Sequence, residues 1–198
     1  MCISGAYGQI SFGPAMLIPT GSYYPYLLKP GIGFHIAGTH GDIDDRLKYG
    51  IFLDFCSFKA TQDTFQTYAV GPSNSNPYGP TYLTPSSEIL HHYDVMQIGL
   101  TADFKILPTG KFSPIVGLDL CMNVIDISED SYSIYESSQT SGGDLYYNYS
   151  IIPRVGVQYQ MGDNWLINAG LGYSLGFGGT IGPQPFWKPF LTASYYFK

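Results

Sequence analysis

Between residues 164 and 177 the side chains alternate in character. Trp165, Ile167, Ala169, Leu171, Tyr173, Leu175 and Phe177 share one parity; Asn168, Gly170, Gly172, Ser174 and Gly176 hold the other. A near-copy of the pattern closes the chain over 187–197. Successive residues of a strand point to opposite faces, so each segment reads as a strand with one apolar face and one small, polar face. A face turned to open water would carry Lys and Glu. This one carries Gly, Ser and Asn, which suits a crowded, enclosed space.

Composition narrows the choice. Only 12% of the 198 residues are charged, roughly half the usual share, while 16% are aromatic and 24 are glycine. Such a chain is short of charge for a surface that faces water. No stretch approaches the ~18 uninterrupted apolar residues of a spanning helix. A closed β-barrel is the other structure that satisfies every backbone group in lipid, with apolar residues turned out and polar ones turned in. The net charge of −6 argues against nucleic acid as a partner. Cys2, Cys56 and Cys121 give neither a disulfide framework nor a zinc pattern. Cys56 and Cys121 read as lumen thiols on non-neighbouring strands. No cofactor or metal site is expected. Ala6-Tyr7-Gly8 before Gln9 resembles a cleavage junction, so residues 1–8 read as a signal-peptide remnant and 9–198 as one domain. A plain N-terminal arm is the alternative, since a basic start and a longer apolar run are missing.

Eight segments alternate: roughly 10–18, 30–38, 48–60, 92–107, 111–127, 146–161, 164–177 and 186–197. The joins run long, medium, long, short, long, short, long, the shortest being Pro108-Thr109-Gly110 and Gly162-Asp163. Short turns at one end and longer loops at the other fit an eight-stranded, antiparallel up-and-down transmembrane barrel with both termini on the periplasmic side. The third segment fits least well, because Phe52 and Phe58 share the inward parity of Asp54. Phe12, Tyr49, Phe104, Tyr159, Trp165, Tyr195 and Phe197 all fall outward at periplasmic strand ends, the expected place of an aromatic girdle.

Through Pro189-Phe190-Leu191-Thr192-Ala193-Ser194-Tyr195-Tyr196-Phe197 and Phe112-Ser113-Pro114-Ile115-Val116-Gly117-Leu118, the chain resembles the small outer-membrane barrels of the OmpA/OmpX-like class, in a form typical of the Bacteroidota. The resemblance implies a Gram-negative outer-membrane location, lipid contact, and recognition by the barrel-insertion machinery through an outward apolar series ending in a C-terminal aromatic. Leu191, Ala193, Tyr195 and Phe197 fit that spacing, with Lys198 following.

Candidate chemistry is sparse. His35, Asp54, Asp103, Lys105, Asp119, Arg154 and Lys188 share the inward parity and form an expected lumen polar network. They could gate a narrow pore, or simply pair because an unpaired buried charge is costly. His91 and His92 are neighbours, but strand neighbours face apart and seldom chelate one ion. Ser87, Glu88 and His92 could serve a lipid-modifying enzyme at the outer rim, yet their spacing is not diagnostic. The outer loops are rich in tyrosine, with Tyr68, Tyr78, Tyr82, Tyr132, Tyr135 and Tyr146 as candidates for binding. The expectation is therefore a non-enzymatic barrel that docks or supports other envelope proteins, in a secretion or motility assembly by fold analogy alone. A gated pore and a lipid-modifying enzyme are the alternatives, and a soluble lipocalin-type barrel is the alternative fold.

Overall fold

The structure is a computed structural model that describes residues 8–20, 28–62, 64–71, 82–107, 110–133, 139–180 and 184–197. Their regular elements are all strands: β1 (Gly8–Pro19), β2 (Gly31–His40), β3 (Leu47–Phe58), β4 (Phe65–Gly71), β5 (Tyr82–Lys105), β6 (Phe112–Ser133), β7 (Gln139–Met161), β8 (Trp165–Phe177) and β9 (Phe186–Phe197). Residues 1–7 lie outside the described residues, and Gly8 is already paired with both His40 and Phe197.

Every pairing is antiparallel, and neighbours in space follow chain order. The sheet closes where β1 meets β9 and where β3 meets β5 across the β4 excursion. Eight strands thus form the barrel, and β4 stands apart from it, paired with the far end of β5. The start of β1, the end of β9 and the strand ends at the β2–β3, β5–β6 and β7–β8 joins gather at one end, the periplasmic one by the barrel's own asymmetry.

The alternation does what the sequence predicts. Leu100 is 60% exposed, Leu118 43% and Leu171 40%, while Asp119 is 2% exposed and Asp54 0%. In water this inside-out arrangement would have no driving force. Against acyl chains it is the stable one. Proline interrupts the seams of the closed sheet, since it cannot donate to a ladder. The β1–β9 register skips Gly13 and Pro14, then the stretch facing Pro189; the β7–β8 register skips Ile152 and Pro153.

Two expectations need correction. Residues 61–91 and 128–145 are not simply loops, because β4, the start of β5, the end of β6 and the start of β7 occupy much of them. Periodicity fails there because these strands have no lipid face to impose it. The interior is also not polar throughout. Ala15, Leu17, Leu28, Cys56, Phe58, Tyr93, Val95, Ile125 and Phe186 pack together inside the outer end of the barrel. Their strand members sit on the inward parity, so an apolar plug lies where the lumen would open outward. At the periplasmic end the 41–46 turn folds Ile43 in against Leu166 and Tyr196.

Candidate functional site

The seven lumen residues expected from sequence all face inward, and the structure joins six of them. Asp54 takes a 2.5 Å contact from His35 Nδ1 on its Oδ1 and pairs with Lys188 through its Oδ2. Lys188 reaches Asp119 Oδ2 at 3.5 Å, and Arg154 Nη2 reaches Asp119 Oδ1 at 2.9 Å and Asp103 Oδ1 at 2.8 Å. In the chain of charges His35–Asp54–Lys188–Asp119–Arg154–Asp103, the links of Lys188 to Asp54 and Asp119 and of Arg154 to Asp103 cross the lumen between strands that are not neighbours, while His35–Asp54 and Asp119–Arg154 join paired strands. Lys105 stands outside it, with Nζ donating to the Ile43 carbonyl at 3.3 Å. Phe52, the misfit in the third segment, explains itself here. Lys188 Nζ lies 4.4 Å from its ring centre, and the His35 ring stacks on it. Arg154 lies over Phe190 in the same way.

Two uncharged ladders flank the charges. Toward the outer end, Gln97 Nε2 donates to Asn123 Oδ1 at 2.8 Å, Asn123 Nδ2 donates to Asn148 Oδ1 and Ser150 Oγ, and Ser174 donates to Ser150. Toward the periplasm, Gln158 donates to Asn168, Asn168 to Thr192 and Ser194, Ser194 meets Ser11, and Gln9 donates to Ser11. Together they tie the barrel wall across its interior with side chains that carry no net charge. The lumen network expected from sequence included neither these amides nor Lys48, which is 6% exposed. The signal was available: Lys48 shares the parity of Phe52 and Asp54.

Beyond the charges the lumen ends in the apolar plug. Phe58 meets Tyr93 edge-on at 5.4 Å and Phe186 at 5.8 Å, and Tyr93 donates to Gln184. Cys56 and Cys121 are free, buried, and on non-neighbouring strands.

On the outside, Phe12, Tyr49, Phe104, Tyr159, Trp165 and Phe197 are each 40–55% exposed on the lipid face. Phe12, Trp165, Tyr195 and Phe197 form a run of ring contacts, with Trp165 and Tyr195 5.1 Å apart. Rings in this position rest where lipid meets water.

The tyrosines expected to bind partners separate. Tyr78 and Tyr135 lie outside the described residues. Tyr68 is carried on β4 opposite Pro85, Tyr82 opposite Gly71, and Tyr132 on β6 opposite Ser87. Tyr146 turns inward and packs on the apolar plug, its hydroxyl donating to Asp144 at 3.0 Å. The register of β5 against β6 shifts between Leu90 and His92, a bulge centred on His91. His91 Nε2 then lies 2.9 Å from Asp130 Oδ2 and His92 Nε2 3.6 Å from Asp126 Oδ1. Each histidine is matched to a carboxylate on β6, and no group of metal-ligating side chains occurs among the described residues.

No family model matches the sequence, and no curated protein matches it. Solved structures do match it. Neisserial surface protein A is 16% identical over 98% of this chain and 98% of that one, with a TM-score of 0.57. A major outer membrane protein from Thermus thermophilus is 14% identical over 98% of this chain and 100% of that one, with a TM-score of 0.55. The outer membrane protein OprG from Pseudomonas aeruginosa is 12% identical over 97% of this chain and 96% of that one, with a TM-score of 0.52. At these identities the likeness is one of fold. The architecture is that of a small OmpA/OmpX-like outer-membrane β-barrel, and the lipid-facing exterior agrees with it.

Proposed function

We propose that this protein is an integral barrel of a Gram-negative outer membrane that binds a partner from its extracellular side, without catalysis. The observation that carries the reading is strand length. β1, β2, β3, β8 and β9 have 10–13 residues, close to the ~9–11 of a tilted bilayer crossing. β5, β6 and β7 have 24, 22 and 23. The surplus carries these strands, together with β4, past the membrane as a four-stranded sheet. Ordered strands projecting from one side of a barrel make a stable platform, and a lumen closed by side chains at both ends leaves that platform as the part free to act.

Photo-crosslinking tests this. A photoreactive residue at Leu145, which is 71% exposed on the projecting part of β7, should capture a second chain in native outer membranes. The same group at Leu171, on the lipid face, should not. If neither position yields a protein adduct, the docking reading falls.

The pore alternative finds some support in the Arg154 charge chain, but passage would require both the Phe186 plug and the Ile43 turn to move. The enzyme alternative finds less, since His92 is turned to Asp126.

A further inference from the structure

One charge inside the barrel is left over. Among the described inward-facing side chains, the fixed cations are Lys48, Lys105, Arg154 and Lys188, and the carboxylates are Asp54, Asp103 and Asp119. Arg154 and Lys188 share all three carboxylates between them. Lys105 rests on a backbone carbonyl. Lys48 Nζ is buried without a hydrogen-bond acceptor, 4.7 Å from the centre of the Tyr196 ring; Asp103 stands opposite it in the β3–β5 register but is paired with Arg154, and Asp42 and Asp45 act on it only from beyond ion-pair distance. An ammonium group so placed keeps most of its desolvation cost.

Lys48 borders a cavity of about 40 Å³ in the periplasmic half of the lumen, together with Gln9, Asp103, Arg154, Gln158 and Thr192. Arg154 Nε is a second buried donor without an acceptor. Asp103 also borders the space, but its Oδ1 is held by Arg154 Nη2. The Oε1 atoms of Gln9 and Gln158 lack donors. Because amide orientation is interchangeable along a chain of Asn, Gln, Ser and Thr, both glutamines can instead turn Nε2 toward the cavity. The space takes about three waters, or one ion of halide size.

We propose that this cavity is a binding site for one small monovalent anion of the halide class, held by Lys48 Nζ with Arg154 Nε as the second donor. The ion would neutralise the surplus cation, and burial would make it selective against larger anions.

The full chain, folded in detergent, provides the test. Urea unfolding followed by tryptophan fluorescence should shift to a higher midpoint in sodium chloride or bromide than in sodium gluconate at equal ionic strength. At ten times the halide Kd the folded-to-unfolded ratio should rise about tenfold. Lys48→Met should remove the halide response and be at least as stable as the native chain in gluconate. Identical midpoints in halide and gluconate, or a response that survives in Lys48→Met, would overturn the proposal. Should that variant fail to fold, bromide-grown crystals of the native chain decide the matter. An anomalous peak between Lys48 and Arg154 is expected, and water alone at that position refutes the site.

Discussion

Asp54 holds His35 and Lys188 at once, with its side chain 1% exposed. Removing the carboxylate leaves the Lys188 ammonium, itself 4% exposed, with Asp119 alone at 3.5 Å. Breaking one side of a buried pair typically costs about 3–5 kcal/mol, so Asp54→Ala should lower the urea midpoint strongly. Replacing Asp54 with Asn keeps the shape and one acceptor and should cost less. Equal losses in the two variants would mean that packing, not charge, sets the value of this residue. A different constraint acts at Gly33, where a Cβ would stand 1.6 Å from the Phe55 carbonyl oxygen. The backbones of β2 and β3 approach too closely there for any side chain. Gly33→Ala is therefore expected to impair folding out of proportion to one methyl group, seen as loss of the compact, heat-modifiable band on a gel.

Elements divide by where they stand relative to the membrane. The barrel portions of β5, β6 and β7 are fixed by a lipid face and a lumen face. Beyond the bulge at His91, their outer portions pair with one another and with β4 among the described residues, and Leu90 packs on the apolar plug. Cutting back the projecting sheet to a short turn between β6 and β7, at Ile127 and Asp144, should thus leave barrel folding intact while abolishing partner capture. Loss of the heat-modifiable band in that variant would show that the sheet is needed for the barrel itself. The outer plug belongs with the barrel. Phe186 is 1% exposed among Phe58, Tyr93 and Val95, and Phe186→Ala should cost about 3–5 kcal/mol in the same urea assay.

The molecule as a whole is a cylinder whose surface chemistry is reversed from that of a water-soluble protein. Leu100, 60% exposed in the middle of the lipid face, is the place to test this. Leu100→Arg should destabilise the barrel by about 2–4 kcal/mol in a bilayer, far more than an exposed substitution on a soluble protein. A change below about 0.5 kcal/mol in lipid vesicles would contradict the orientation. The closed lumen makes a second claim at this scale. Neither the native chain nor Arg154→Ala should conduct ions steadily in a planar bilayer, because the Phe186 plug and the Ile43 turn remain when the charge chain is cut.

Much of this was legible before any coordinates. Parity alone placed Leu171, Leu118 and Leu100 outward and Asp119, Arg154 and Lys188 inward, because a strand has only two faces and lipid tolerates only one kind of residue. The order and sense of the barrel strands followed from the lengths of their joins. Tertiary structure decided what parity cannot express: how far along the cylinder each inward residue lies, and whom it meets across it. Phe52 and Phe58 looked like the same exception, yet one braces Lys188 and the other closes the outer mouth. Lys48 and Lys188 have the same parity and charge, and only closure of the sheet pairs Lys188 with two carboxylates while Asp103, opposite Lys48, goes to Arg154 instead. Alternation is local to a strand, whereas the pairing of charges across a lumen depends on tilt and register summed around the whole ring.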